Sequence, residues 1–340
     1  MSRDVSGQTN ITKGRFYGAD GTLKRPPSTF RDFIEKGGKF EPEKGAVIGQ
    51  RVPFFAAWAT RALIVRKLKG LEDIIRTCDR GFSRMGANGW PFASADDFPG
   101  AENDPLYQAQ HIKDLYLKCA PDYGGRFTVP VLWDKNETII NNESSVIIIM
   151  FNSAFNDLVD PEKAEVDIYP EHLRREINEL NEWVYSDINN GVYRSGFAIT
   201  PQAYEAAVKQ LFTSLDRLEK ILEGREYIIG DQLTEADVRA WVTTVRLFFS
   251  PSAGNPQSFD DDLQIRFDPV YVSHFKCNIR DTRNGCPAIN KWMKKLYWNN
   301  SAFKELTDFD HIKTHYYWSH PNINPTRIVP AGPVPLIEDL

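Results

Sequence analysis

Two short groups of residues have types and spacing suited to holding a small polar ligand. One is Arg126-Phe127-Thr128-Val129-Pro130; the other is Asn142-Glu143-Ser144-Ser145. Glu143 and Ser144 stand just before the apolar run Val146-Ile147-Ile148-Ile149-Met150, where a helix should begin. A helix N-terminus presents unpaired amides and a positive dipole end to a carboxylate. A carboxylate side chain at the same place can hold an ammonium. The bland reading stays open beside this one: Glu143-Ser144 as a helix cap, Val129 as core, Arg126 as a surface ion pair. A third pattern, His311 and His315, puts two imidazoles on one helical face. No Glu follows the first His and no further ligand is near in sequence, so the spacing argues against a metal.

The elements that must position these residues can be read from pattern. Phe127–Trp133 is a β-rich run, with Pro130 placed at a strand's start or edge because proline cannot donate to a ladder. Asp134–Glu137 is turn material, and Thr138–Ile140 resumes a strand. Upstream, Ala46–Phe55 is a candidate first strand, Trp58–Lys69 a helix stopped by Gly70, and Leu71–Ile75 the start of a second strand. Ser28 or Thr29 is predicted to cap a short helix through Lys36, stopped by Gly37-Gly38. Within an insertion over residues 80–125, Leu106–Lys118 is helical by pattern. Beyond Asn152 the chain becomes mainly helical: His172–Tyr185, Pro201–Leu222, Glu235–Phe248 and Ala288–Tyr297. Thr234-Glu235-Ala236-Asp237 is a variant capping box, with Leu233 and Val238 placed as its hydrophobic staple.

Composition narrows the class. A chain of 340 residues suggests roughly two domains. A net charge of −5 gives no basic surface calling for nucleic acid. No apolar run approaches a membrane span, and Met1–Lys13 lacks a signal-peptide core. Cys78, Cys119, Cys277 and Cys286 form no Cys-x-x-Cys pair, which suggests free thiols in a reducing compartment, the cytoplasm.

From about residue 26 to 335 the chain resembles the glutathionyl-hydroquinone reductases, the Xi class of glutathione transferases. The resemblance rests on several ordered stretches. In the first half they are Leu68-Lys69-Gly70-Leu71-Glu72, Asn88-Gly89-Trp90-Pro91-Phe92, Gly125–Asp134 and Asn142-Glu143-Ser144. In the second half they are Asn190-Gly191-Val192-Tyr193, Arg266–Tyr271 running on to His274–Asn278, and Gly332-Pro333-Val334-Pro335. It implies a thioredoxin-like α/β domain followed by an all-helical one. The expected boundaries are an arm at 1–44, a glutathione-binding domain at 45–155, a helical domain at 165–322 and a tail at 323–340. It implies a cis Val129–Pro130 bond, glutathione as cosubstrate, a small aromatic partner such as a quinone or hydroquinone, and a homodimer. In its terms Trp90 packs on the tripeptide, Arg126 pairs with the glycine carboxylate, Val129 pairs through its backbone, and Glu143 and Ser144 hold the γ-glutamyl group. Tyr193, Tyr271 and Tyr297 would line the aromatic pocket. Their hydroxyls could donate to a quinone oxygen or steady a developing phenolate; each also reads as aromatic core.

Two departures matter. The family's first strand ends in Cys-Pro-Trp-Ala-His-Arg, whose Cys attacks the thioether. Here the stretch is Ala56-Ala57-Trp58-Ala59-Thr60-Arg61. Ala56 cannot form a mixed disulfide, and none of the four cysteines lies in a matching place. Reduction by the family mechanism is therefore not expected, and Ala56→Cys alone should restore little. The open alternatives are addition of glutathione's own thiolate, with Thr60 or a nearby amide as support, or addition and departure as in isomerisation. A glutathione-independent rearrangement of an aromatic, or a non-catalytic glutathione-binding protein, are the others. The second departure is an inserted loop at 247–266, in which no catalytic residue is expected.

Overall fold

The computed structural model describes residues 17–42, 49–51, 56–78, 84–86, 89–92, 103–104, 106–134, 138–247, 270–280 and 285–332. The expected 247–266 loop falls outside them except for Leu247. So do parts of the first strand and of the 80–125 insertion, and the end of the C-terminal tail.

The first half is a four-stranded sheet in the order β2-β1-β3-β4. Its strands are β1 (Gly49–Arg51), β2 (Thr77–Cys78), β3 (Leu132–Asp134) and β4 (Thr138–Asn141). β1 runs parallel to β2 and antiparallel to β3, and β3 pairs antiparallel with β4. The parallel pair needs a crossover, supplied by α1 (Ala57–Leu68). Next come α2 (Ile112–Cys119) and, after β4, α3 (Ser144–Ser153). This is the thioredoxin-like unit, and the Val129–Pro130 bond before β3 is cis.

Two expected elements are corrected. Leu71–Ile75 is not a strand. Ile74 and Ile75 both donate their amides to the Leu71 carbonyl, and Arg66 ties the Ile75 carbonyl at 2.6 Å. Leu71 and Ile75 are both buried; a tight turn brings these apolar residues to one side, whereas the strand follows at Thr77. Residues 28–36 are not a helix either. Their backbone lies along β4: Asp32 donates to Ile140, Asn142 donates to Phe30, and Phe30 donates to the Asn142 side chain. An edge strand has spare backbone groups, and pairing with them outweighs the weak local helix signal.

Among the described residues the second half is helical, and its main helices are α4 (Arg174–Trp183), α5 (Gly191–Gly196), α6 (Pro201–Leu222), α7 (Glu235–Thr244), α8 (Pro287–Asn299) and α9 (Phe309–Ser319). α6 matches its expected bounds. Thr200 caps it by accepting the Ala203 amide, Pro201 occupies its first position, and Val208, Leu211, Leu215, Leu218 and Leu222 form its buried stripe. The capping box at Thr234 and Asp237 is present. Asp237 also accepts the Ile228 amide at 3.0 Å and the Trp292 indole at 3.0 Å, which ties α7 to α8. Among the described residues no helix is long and apolar enough to cross a membrane.

The halves meet where α1 packs against both α3 and α7. Arg61 of α1 is fully buried and donates to Asn189 at 2.7 Å and to the Arg239 carbonyl at 3.2 Å. Burial, with Arg239 nearby, pushes its pKa down to about 9.

Candidate functional site

Ala56 is the N-cap of α1, with φ −80° and ψ 115°, and no side chain caps the helix. The amides of Ala57 and Trp58, at the first two helical positions, have no intrahelical acceptor by construction. Ala56 is itself 7% exposed. Thr60 does not support this end as expected. Its hydroxyl donates to the Ala56 carbonyl at 3.1 Å and accepts from Arg246 at 3.3 Å, so its proton is already committed.

At the neighbouring helix start, Glu143 caps α3. Its carboxylate accepts from Ser145 and, at 2.9 Å, from the Ser28 hydroxyl, and Arg31 lies 3.6 Å away. Burial pushes this carboxyl up, but the bonds from Ser28 and Ser145 and the Arg25 charge together hold it below its ordinary range. Ser144 follows, 2% exposed, and its hydroxyl has no hydrogen-bond partner. A buried hydroxyl without a partner costs stability unless something fills its place. The hydroxyl stands beside a helix N-terminus, where it can donate to an incoming acceptor.

Val129 precedes the cis proline and is 7% exposed. Its main-chain groups bond to no other described residue, which leaves them available to an extended peptide. Arg126 is exposed and lies within electrostatic reach of Arg25 and Tyr17. Trp90 stacks on His315 at 4.9 Å and 29°, joining the first half to α9.

The tyrosines divide. The hydroxyls of Tyr193 and Tyr316 are 2.8 Å apart, those of Tyr271 and Tyr316 2.7 Å, and those of Tyr271 and Tyr193 3.4 Å. Burial first, then the Tyr193 hydroxyl, raises the pKa of Tyr271 and Tyr316 well above the ordinary phenol value, although Arg246 opposes this. Tyr297 is not part of the cluster; its ring meets Trp298 at 5.1 Å and Phe309 at 6.2 Å. Sequence reasoning missed Tyr316. The aromatic run Tyr316-Tyr317-Trp318 on α9 was the available signal, but it lies far along the chain from its partners. It also missed Trp58, whose ring stacks beside Tyr193 at 6.3 Å and 29°.

The chain thus carries a carboxylate and an orphaned hydroxyl at one helix start, a second helix start with no side-chain cap, and a tyrosine hydroxyl cluster. The "Glutathione S-transferase, N-terminal domain" profile matches residues 55–154, and the "Glutathione S-transferase, C-terminal domain" profile matches residues 201–295. The glutathione-S-transferase Xi from Phanerochaete chrysosporium is 57% identical in its crystal structure, with a TM-score of 0.86 over 95% of this chain and 96% of that one. The chain belongs to the Xi class of glutathione transferases.

Two further relatives are informative. Glutathione S-transferase omega-like 2 of Schizosaccharomyces pombe is 48% identical over 94% of this chain and 96% of its own length. The glutathionyl-hydroquinone reductase YqjG of Escherichia coli is 44% identical over 92% of this chain and 89% of its own. A glutathione-bound structure of YqjG superposes with a TM-score of 0.79, at 41% identity, over 92% of this chain and 95% of that one. Ala56 itself carries no nucleophile. The cysteines with described side chains lie elsewhere: Cys119 ends α2, Cys277 is buried in the helical half and Cys286 caps α8. Among the described residues no cluster of His, Cys, Asp and Glu could hold a metal ion.

Proposed function

We propose that this protein binds glutathione and adds it to a quinone or another electrophilic aromatic, with glutathione's own sulfur as the nucleophile. The observation that carries the reading is the buried Ser144 hydroxyl with no partner, next to the Glu143 carboxylate at the N-terminus of α3. The γ-glutamyl carboxylate fits the Ser144 hydroxyl and amide at the positive end of the helix, and its ammonium fits Glu143. The main-chain groups of Val129 suit the tripeptide backbone, Arg126 its glycine carboxylate, and Trp90 its flank. The glutathione-bound E. coli relative supports the same ligand here.

The chemistry then follows from charge. The thiolate sits at the bare start of α1, where the amides of Ala57 and Trp58 and the dipole favour an anion. It attacks a ring carbon of the quinone and forms a C–S bond. The electron pair moves onto the quinone oxygen, which accepts a hydrogen bond donated by the Tyr193, Tyr271 and Tyr316 hydroxyl cluster. A proton reaches that oxygen from solvent, and transfer of the ring proton, through water, to the second oxygen makes the ring aromatic. The product is a glutathionyl-hydroquinone, and no external reductant is needed.

The test is calorimetry with glutathione, followed by mass spectrometry of a mixture with 1,4-naphthoquinone. Saturable glutathione binding and a conjugate formed faster than without protein support the reading. No glutathione binding, or a conjugation rate equal to the background, overturns it.

A further inference from the structure

The segment at residues 17–34 spans the two halves of the molecule and is tied at both ends. At one end the Thr200 hydroxyl donates to the Asp20 carbonyl at 3.1 Å, and the Ile199 amide to Gly21 at 3.4 Å. Gly21 has φ +83°, and a Cβ there would lie 2.9 Å from the Thr200 methyl, so the close approach needs glycine. At the other end Ser28, Phe30 and Asp32 are bonded to β4 and Glu143. Pro26-Pro27 stiffens the crossing between these anchors.

Arg25 lies in that crossing. Its guanidinium stands 4.1 Å over the Trp58 ring, whose neighbour is Tyr193, and Arg61 lies 4.5 Å from the same ring. Arg25 forms no hydrogen bond or ion pair with any described residue. Its charge is felt by Glu143, Arg61 and Arg126.

Accounting for charges assigns it a role. In the reading above, glutathione's glycine carboxylate goes to Arg126, its γ-glutamyl carboxylate to Ser144 and the helix start, and its ammonium to Glu143. Arg25 is left over, with its fork of donors unused, one ring away from the tyrosine hydroxyls. A guanidinium held by stacking on an indole is oriented, with its charge met through space by Glu143 and its donors open to a further anion. We propose that Arg25 determines specificity for aromatic substrates that carry an anionic substituent, a carboxylate or sulfonate, on the ring. The inference rests on the glutathione-and-aromatic reading of the site and adds to it the charge of the second substrate.

The experiment measures binding of 2-naphthol and of 6-hydroxynaphthalene-2-sulfonate to the full chain saturated with glutathione. The wild type should bind the sulfonate about tenfold more tightly, with the advantage shrinking at high salt. In Arg25→Gln the ratio of the two affinities should fall toward one, and Arg25→Lys should keep part of it. A wild type without preference, or an Arg25→Gln variant that keeps the full ratio, overturns the Arg25 inference and leaves the proposed function standing. If glutathione binds but neither naphthol does, the aromatic reading falls and Arg25 with it. If glutathione itself does not bind, the whole site reading fails.

Discussion

The Tyr271 hydroxyl lies 2.7 Å from that of Tyr316, which is in turn 2.8 Å from Tyr193. Residues from α5, from the segment before α8 and from α9 thereby share one hydrogen-bonded cluster. Tyr316→Phe should lower stability by about 1 kcal/mol in urea melts. It should slow conjugation by roughly tenfold or more, because the donor array facing a developing phenolate loses a member.

Burial raises the pKa of Tyr271 and of Tyr316. A raised folded pKa gives stability that is complete below the unfolded value of about 10 and is lost as pH rises beyond it. Melting temperature should therefore show no loss from these groups on the alkaline side up to about pH 10. A fall beginning near pH 8 with a phenolate absorbance change would contradict the assignment.

Ser144→Ala separates binding from folding. The hydroxyl has no partner in the free protein, so its removal should leave the melting temperature unchanged or slightly higher. Glutathione affinity should nevertheless fall about tenfold by calorimetry. Glu143→Ala should weaken binding further. Because Glu143 is held below its ordinary range, wild-type affinity should stay level as pH falls from neutral to about 5 and decline only below that.

The acid limit of stability should come from imidazoles. His274 Nε2 and His320 Nδ1 are 3.2 Å apart, with His315 close by. Burial, with Lys276 adding to it, pushes His274 down to about 4, and burial with His315 and His274 pushes His320 well below its ordinary value. A depressed folded pKa means the unfolded chain takes up the proton first. Stability is therefore full above about pH 6.5 and is lost as pH falls toward 4, on the order of 3 kcal/mol from His274 alone. His274→Gln should flatten that slope in denaturant melts; an unchanged slope would remove His274 from the account.

Asp237 accepts the Ile228 and Thr234 amides and the Trp292 indole while fully buried. Asp237→Ala leaves these donors unpaired at the α7 start. It should cost on the order of 3–5 kcal/mol, measured as a lower urea midpoint, with glutathione affinity preserved in the fraction that folds.

Ala56→Cys should place a thiol at the N-cap of α1 with a pKa below about 8.5, read from its iodoacetamide reactivity against pH. Little reductase turnover should follow from that change alone. Thr60, one helical turn on, spends its hydroxyl on the Ala56 carbonyl and Arg246 and offers no base to the new thiol. Strong turnover would show that the other altered positions do not matter.

The sequence by itself determined what depends on neighbours three or four residues apart. Thr200-Pro201 opened α6, Thr234 and Asp237 opened α7, and Glu143-Ser144 marked the start of α3, because caps and apolar stripes act within a turn. It also held most of the residues proposed to bind glutathione, since Arg126, Val129, Glu143 and Ser144 cluster between positions 126 and 144. Only the tertiary structure decided which tyrosines meet. Tyr316 reaches Tyr193 across 123 positions, while Tyr297, equally plausible by residue type, packs on Phe309. It also turned residues 28–34 from an expected helix into a strand-like strap, because the open edge of β4 offered backbone partners that no local signal records. The crossing that leads into that strap carries Arg25 over Trp58, a juxtaposition set by the packing of both halves and invisible in the spacing of either residue.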